Sequence, residues 1–348
     1  MLNEQGYHIA VVGATGAVGK KMLETLEKKN FPIKSLKLLS SSRSAGNKIE
    51  FKGESFIVEE AKPESFEGVQ IALFSAGGSV SKKLAHEAVA RGAVVVDNTS
   101  AFRMDKDVPL VVPEVNEADI ANHNGIIANP NCSTIQMVAA LKPIQDKYGI
   151  SRVIVSTYQS VSGAGDAATD ELKQQTQAFL NGDELKPELL PVAGEEKHYP
   201  IAFNALPQID VFQENGFTFE EMKMINETKK IMHAPELSVA ATCVRLPFFN
   251  AHAESVYVEI DDENVQVSDL QNAIANAQGV ILEDDPTNQV YPTPLSATDK
   301  SEVFVGRVRR DLDNSKGFHL WVVSDNLLKG AAWNSVQIAE SLVKNNWL

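Results

Sequence analysis

"VVGATGAVGK", residues 11–20, joins a short apolar run to a helical one through Gly13, Gly16 and Gly19. The run entering it, "HIAVVGA", is unbroken and apolar, as a strand buried on both faces must be. The run leaving it, "AVGKKMLETLEKKN", repeats its apolar residues at helical spacing. A strand that ends in a glycine turn at a helix start is the opening of a dinucleotide-binding sheet. Small residues let the backbone approach a pyrophosphate, and the first-turn N–H groups point at it. The spacing is GxxGxxG, a variant of the usual fingerprint. Any tight strand-to-helix turn needs glycine, but here the motif has the strand before it and the helix after it that nucleotide binding requires. Gly13, Thr15, Gly16, Ala17 and Val18 are the candidate cofactor contacts of this turn.

Working outward, "SLKLLSS", "VQIALFSA" and "AVVVDN" read as further strands, the last two separated by the helix "SVSKKLAHEAVARG". Apolar strands alternating with helices imply a parallel sheet covered on both faces. The second strand ends in "LLSSSRSAGNK" with no carboxylate to hold a ribose 2′-hydroxyl. Arg43, flanked by Ser42 and Ser44, suits a 2′-phosphate instead, so the expected cofactor is NADP (as NADPH). The plain alternative is a solvated arginine on a surface turn.

Beyond about residue 150 the texture changes to longer alternating runs, "RVIVSTYQSVSG", "LSVAATCVRLPF", "ESVYVEI", "SEVFVGRVRRDL" and "GFHLWVVSDN". These predict a mixed sheet with one covered face. Helices are expected at "ATDELKQQTQAFLNG" and "FEEMKMINETKKIM", and "PTNQVYPTPLSATDK" reads as a loop. The last segment, "NLLKGAAWNSVQIAESLVKNN", is an amphipathic helix that could return to the first domain. The expected fold is α/β: an N-terminal Rossmann-like doubly wound parallel sheet, plus an α+β mixed-sheet domain for catalysis and dimerisation. The expected domains are 1–131, completed by 326–348, and 132–325.

A chain of 348 residues that is 43% hydrophobic and 22% charged has the composition of a soluble protein with two cores. No apolar stretch approaches the ~20 residues of a membrane span, and the N-terminus lacks a signal-peptide pattern. The net charge of −14 argues against a nucleic-acid surface and leaves an anionic substrate dependent on local basic residues. Two cysteines make no disulfide framework and suit a reducing cytoplasm, and the seven histidines show no metal-ligand spacing. Cys132, in "ANPNCSTIQM" at residues 128–137, sits where an apolar run breaks at Pro130 and an amphipathic one begins. A free cysteine there is either a small buried hydrophobe or a nucleophile, since the first turn of a helix favours thiolate. Arg245 is harder to explain blandly, because an arginine within the apolar "CVRLPFF" needs an anion.

The segments "GATGAVG", "SSRSAG", "LFSAGGSVS", "VVDNTSAFRMDKDVPLVVPEVN", "ANPNCSTIQM", "QSVSGAG", "FNALPQID" and "VRLPFFNAHAES" together resemble the aspartate-semialdehyde dehydrogenase family, in family order and over essentially the whole chain. Glyceraldehyde-phosphate dehydrogenase and acetylglutamyl-phosphate reductase share the architecture and the cysteine nucleophile, but not these stretches together. The resemblance implies reductive dephosphorylation of L-aspartyl 4-phosphate to aspartate 4-semialdehyde through a thioester on Cys132, within lysine, threonine, methionine and diaminopimelate biosynthesis. It implies that His252 is the acid/base residue, that Arg245 pairs with the substrate α-carboxylate, and that Gln159 orients the substrate. Arg103, Lys223 and Asn131 would take the phosphate, and Glu220 the substrate ammonium. Ser75 and Gly77, and Ser162, Gly163 and Asn326 toward the nicotinamide, complete the implied cofactor set; Cys243 belongs to the core. A cytoplasmic homodimer without nucleic-acid, membrane or metal partners is implied as well. A non-catalytic NADP sensor or an acyl reductase for another substrate are the competing readings; a sensor would not need Cys132, His252 and Arg245 together.

Overall fold

The computed structural model describes residues 5–348. The chain divides into two compact units, Met1–Asn131 with Gly330–Leu348, and Cys132–Lys329. Residues 326–329 therefore group with the second unit.

The first unit is a seven-stranded sheet. Its strands are β1 (Tyr7–Val12), β2 (Ile33–Ser40), β3 (Lys48–Phe51), β4 (Glu54–Glu60), β5 (Ile71–Phe74), β6 (Val94–Asp97) and β7 (Ile126–Ala128), in the order β3-β4-β2-β1-β5-β6-β7. All pairings are parallel except β3 with β4. Helix α1 (Ala17–Lys28) connects β1 to β2, α2 (Gly78–Ala90) connects β5 to β6, and the single turn α3 (Pro113–Asn116) follows β6. Because β2 and β5 flank β1 on opposite sides, the strand order reverses at β1. Ligands of such sheets bind beyond the strand C-termini at that reversal, and the glycine turn lies there. Gly13 has φ of 88°, and a Cβ on it would stand 2.9 Å from the Ser75 carbonyl carbon in the loop after β5. A Cβ on Gly19 would lie 2.1 Å from the Gly13 oxygen, so helix and turn touch through glycine alone.

The C-terminal helix, Trp333–Lys344, belongs to this unit and buries Val336, Ile338 and Leu342 in the same apolar cluster as Ile9, Val11, Leu26 and Ile71. Each fully buried side chain of this kind contributes roughly 1.5–3 kcal/mol. Lys29 pairs with Glu340 at 2.6 Å and lies 4.2 Å from the Trp333 ring centroid.

The second unit carries a six-stranded mixed sheet: β8 (Ile150–Gln159), β9 (Ser238–Arg245), β10 (His252–Ile260), β11 (Val280–Leu282), β12 (Val303–Arg310) and β13 (Gly317–Ser324), ordered β11-β12-β13-β10-β8-β9. Its helices are α4 (Cys132–Tyr148), α5 (Asp166–Asn181), α6 (Phe219–Ile231), α7 (Val267–Ala275) and the short α8 (Pro294–Ala297). The strands alternate as half-covered strands must. His252, Glu254, Val256, Val258 and Ile260 of β10 are buried, while Ser255, Tyr257 and Glu259 are half-buried. Helices α4, α6 and α7 pack on the buried side.

Several features depart from the sequence reading, among them helix α7 and strand β11, which were not expected. The hairpin β3–β4 was not expected, and Pro294–Ala297 forms a helical turn capped by Thr293 inside the stretch read as loop. Helix α4, expected to be amphipathic, is buried at every position from Ser133 to Leu141. Its small polar residues pass for a solvent face in the sequence, yet they are buried.

Candidate functional site

Strand pairing brings the main candidates of the second unit to one end of its sheet. Gln159 closes β8 and Arg245 closes β9, and the two are register partners in a parallel pair. β10 runs antiparallel to β8, so its first residue, His252, starts at that same end. Gln159, Arg245 and His252 are 1%, 5% and 0% exposed, which is low enough that each needs an internal reason to be polar.

Ser160, the residue after β8, supplies much of that reason. Its carbonyl accepts from Arg245 Nη1 at 2.8 Å, and its backbone N–H donates to His252 Nδ1 at 3.1 Å. Its hydroxyl lies 3.1 Å from the same Nδ1 and 3.2 Å from Asn326 Oδ1. Asn326 Oδ1 also accepts from the Ala251 N–H at 3.0 Å, while Asn326 Nδ2 donates to Ser162 Oγ at 3.0 Å. The side chain of Asn326 is thus committed to holding the backbone at Ala251 beside His252. Ser160 escaped the sequence reading because a serine after a strand carries no signal of its own.

Gly163 lies against both functional groups. A Cβ built on it would be 3.1 Å from Arg245 Nη1 and 3.4 Å from His252 Nε2. His252 Nε2 is buried and has no hydrogen-bond partner among the described residues. Burial, with the charge of Arg245, lowers the His252 pKa to about 3, so the imidazole is neutral. The Arg245 guanidinium is itself held below its ordinary value by burial, opposed by the charges of Glu220 and Cys132.

Cys132 is the first residue of α4, half-buried, at the end of the helix where N–H groups lack intrahelical acceptors. Cys243, the other cysteine, is fully buried beside Met224, and desolvation pushes its pKa well up. Helix α6 begins at a Thr218–Glu221 capping box and carries Glu220 and Lys223 one turn apart. Glu220 accepts from Gln159 Nε2 at 3.1 Å and from Lys223 at 3.1 Å, and Lys223 reaches Asp210 at 2.9 Å. Read from sequence alone, Glu220 with Lys223 is a solvated pair; the Glu220 side chain is in fact 6% exposed. A further buried carboxyl, Glu254, shares the inward face of β10 with His252, and desolvation raises its pKa well above the usual range. The two-residue alternation of "HAESVYVEI" was the signal that could have located it.

The remaining candidates lie in the first unit. Gly16 caps α1 with no side-chain acceptor, leaving the first-turn N–H groups without a side-chain cap, and Ala17 and Val18 form that turn. Thr15 Oγ1 lies 2.9 Å from Ser40 Oγ at the end of β2. Ser42, Arg43 and Ser44 form the turn after β2, with Arg43 exposed and no Asp or Glu among residues 41–46. Ser75 hydrogen-bonds the Val12 carbonyl, and Gly77 opens α2 with φ of 92°. Arg103 is 8% exposed and donates to the Asn98 and Asn129 carbonyls at 2.8 and 3.0 Å. Its loop is anchored by buried Asp97, which accepts from Ser81 Oγ at 2.8 Å and Thr99 Oγ1 at 2.7 Å. Asn131, 6% exposed, precedes the thiol. An open helix start, a glycine cradle and a strand end free of carboxylate fit a nicotinamide dinucleotide. Among the described residues no cluster of His, Cys, Asp or Glu could hold a metal ion, and no helix is long and apolar enough to cross a membrane.

Two family models match the chain: the semialdehyde dehydrogenase NAD binding domain over residues 8–123, and the semialdehyde dehydrogenase dimerisation domain over residues 141–329. The aspartate-semialdehyde dehydrogenase of Bacillus subtilis is 69% identical over 98% of this chain and 99% of its own length. That of Aquifex aeolicus is 54% identical over 97% and 98%. The crystal structure of aspartate semialdehyde dehydrogenase II from Vibrio cholerae in complex with ASA is 48% identical and superposes with a TM-score of 0.92 over 98% of this chain and 99% of that one. The enzyme from Candida albicans with NADP is 26% identical, with a TM-score of 0.76 over 99% and 100% of the two chains. With a nicotinamide-type first unit and matches of this extent over both units, the chain belongs to the aspartate-semialdehyde dehydrogenase family of oxidoreductases.

Proposed function

We propose that the protein is a phosphorylating, NADP-dependent aspartate-semialdehyde dehydrogenase, converting L-aspartyl 4-phosphate to aspartate 4-semialdehyde and back. The observation that carries this reading is the strand-end cluster. A buried guanidinium and a buried neutral imidazole with an unpartnered Nε2 flank Gly163, and the guanidinium is electrostatically coupled to Cys132 at a helix start. A structural core has no use for such an arrangement.

Cys132 attacks the acyl carbon as thiolate, the C–S bond forms, and phosphate leaves with the electrons of the C–O bond. The helix start and the Arg245 charge both favour the thiolate. A nicotinamide dinucleotide, when bound, would supply or accept the hydride. Arg245 offers its fork to the α-carboxylate, Glu220 the ammonium contact, and Gln159, tied to Glu220, fixes the orientation between them. Arg103, Lys223 and Asn131 hold phosphate. His252 acts on the oxygen that becomes anionic when the carbonyl is attacked. Gly13, Thr15, Gly16, Ala17 and Val18 would hold the cofactor, and Ser75, Gly77, Ser162, Gly163 and Asn326 would serve its nicotinamide end. Ser42, Arg43 and Ser44 select the 2′-phosphate, because no carboxylate repels it there. The match to a dimerisation domain supports a homodimer. The reading implies a cytoplasmic enzyme that supplies a semialdehyde to amino-acid biosynthesis.

The test is reduction of NADP by aspartate semialdehyde with and without inorganic phosphate. Phosphate-dependent turnover that prefers NADP to NAD is expected. Arg43→Ala should narrow that preference by about ten- to a hundredfold, the worth of one charge-assisted contact of ~1.5–3 kcal/mol. Turnover on acetylglutamate semialdehyde but not on aspartate semialdehyde would overturn the substrate.

A further inference from the structure

We propose that Asn334 and Ser335, at the start of the C-terminal helix, are positioning residues for the phosphate site: they hold Asn98 and Asn129, and these two asparagines aim the Arg103 guanidinium. The inference rests on Arg103 being a phosphate ligand and adds to that reading the residues that place it.

Strand register brings the two asparagines together. β6 ends at Asp97 and β7 at Ala128, and these are partners in a parallel pair, so Asn98 and Asn129 leave adjacent strands at the same end of the sheet. The Asn129 N–H donates to the Asp97 carbonyl at 2.8 Å, which carries the ladder one step past the strands. Each asparagine then works in two directions. Its backbone carbonyl faces Arg103: that of Asn129 accepts from Nε at 3.0 Å and that of Asn98 from Nη2 at 2.8 Å. Its side chain faces the C-terminal helix: Asn129 Oδ1 accepts from Asn334 Nδ2 at 2.7 Å, and Asn98 Oδ1 from Ser335 Oγ at 2.9 Å.

Asn334 and Ser335 are both 0% exposed, although Val336, Ile338 and Leu342 already supply the apolar face of this helix. Buried polar groups cost stability unless they are bonded, so these two are explained by what they hold. Asn334 uses both protons of Nδ2, the second on the Val111 carbonyl at 2.9 Å. Ser335 shares its one proton between Asn98 and the Ala331 carbonyl, also at 2.9 Å, so its hold is the weaker.

Nε and Nη2 form one edge of the guanidinium, the fork that elsewhere grips a carboxylate or phosphate with two parallel bonds. Here that edge is spent on two carbonyls, which fixes the plane of the group before an anion arrives. An arginine ordinarily gives up rotamer freedom when it binds an anion, and a clamped one has given it up in advance. Loosening the clamp therefore costs phosphate affinity, while the contacts assigned to the α-carboxylate and the cofactor do not pass through it.

Steady-state kinetics of the full-length enzyme tests this, with inorganic phosphate, aspartate semialdehyde and NADP varied in turn. Asn334→Ala should raise the KM for phosphate about three- to tenfold, the worth of a misdirected hydrogen bond, and leave the other two KM values within about twofold. Ser335→Ala removes a single oxygen; it should raise the phosphate KM at least about twofold, and it carries the test alone should Asn334→Ala not fold. Gln337→Ala controls for a merely structural role, because Gln337 joins the same helix to Glu114 at 2.8 Å rather than to either asparagine. It should lower the unfolding temperature and leave the phosphate KM unchanged. An equal rise in Gln337→Ala, or an unchanged phosphate KM in the folded clamp variants, would overturn the proposal. The double variant Arg103→Ala/Ser335→Ala separates the clamp from the assignment beneath it. Once Arg103→Ala has raised the phosphate KM, Ser335→Ala should add nothing further; additive losses would contradict an action through Arg103. A normal phosphate KM in Arg103→Ala would instead remove Arg103 from the phosphate site, and the clamp's role with it.

Discussion

Burial separates the two thiols. Cys132 is half-buried at the start of α4, whereas Cys243 is sealed in the core and its pKa is raised well above the ordinary thiol range. Iodoacetamide near neutral pH should label Cys132 well before Cys243, as read by peptide mapping; faster labelling of Cys243 would remove the nucleophile assignment. The basic residues separate by geometry. Arg245→Lys keeps charge but loses the fork, so it should raise the KM for semialdehyde and leave that for phosphate nearly unchanged. Lys223→Ala should do the opposite, and steady-state kinetics with each substrate varied decides between them. The buried ionisable pair on β10 gives a pH signature. Folded Glu254 keeps a proton that the unfolded chain loses above about 4.5, so its contribution falls as pH rises through that value toward its raised folded value. Glu254→Gln should therefore unfold at an equal or higher temperature near neutral pH, with the difference vanishing in acid. His252 has the opposite sign: the unfolded chain takes a proton below about 6.5 while the folded one resists to about 3, so acid costs stability through that window.

Elements were legible where burial made them uniform. β1 and β6 are unbroken apolar runs buried throughout their inner residues, and α1 shows helical periodicity because only one face meets the sheet. The hairpin β3–β4 was hidden because "KIEF" and "ESFIVEE" are charge-rich strands at the sheet edge, where one side remains solvated. The seventeen-residue α4 misled differently: Ser133, Thr134 and Gln136 are polar, yet all are buried. Of the site, Cys132, Arg245 and the glycine turn were visible as residues out of place in their surroundings. Ser160 was not, since its significance comes from strand register, which pairs distant segments. The C-terminal helix offers a stability test at this scale. Leu342 is fully buried in the first unit's core, and Leu342→Ala should cost ~2–5 kcal/mol in denaturant unfolding. A loss below about 0.5 kcal/mol would mean the helix does not complete that core.

At the scale of the whole molecule, two units carry two chemistries. The first offers glycine turns and strand ends at the reversal point of a parallel sheet, and the second offers the ends of β8, β9 and β10 with the start of α4. The change from unbroken to alternating apolar runs marked these two architectures in the sequence, because a doubly covered sheet and a half-covered one bury different fractions of each strand. The central claim is that Cys132 carries the acyl group. Without phosphate, aspartate semialdehyde and NADP should drive the thiol to a thioester that nothing removes quickly. Rapid acid quench and peptide mass spectrometry should then find one aspartyl group on the peptide containing Cys132, and none in Cys132→Ser. An aspartyl group on another residue, or undiminished turnover in the serine variant, would contradict the account.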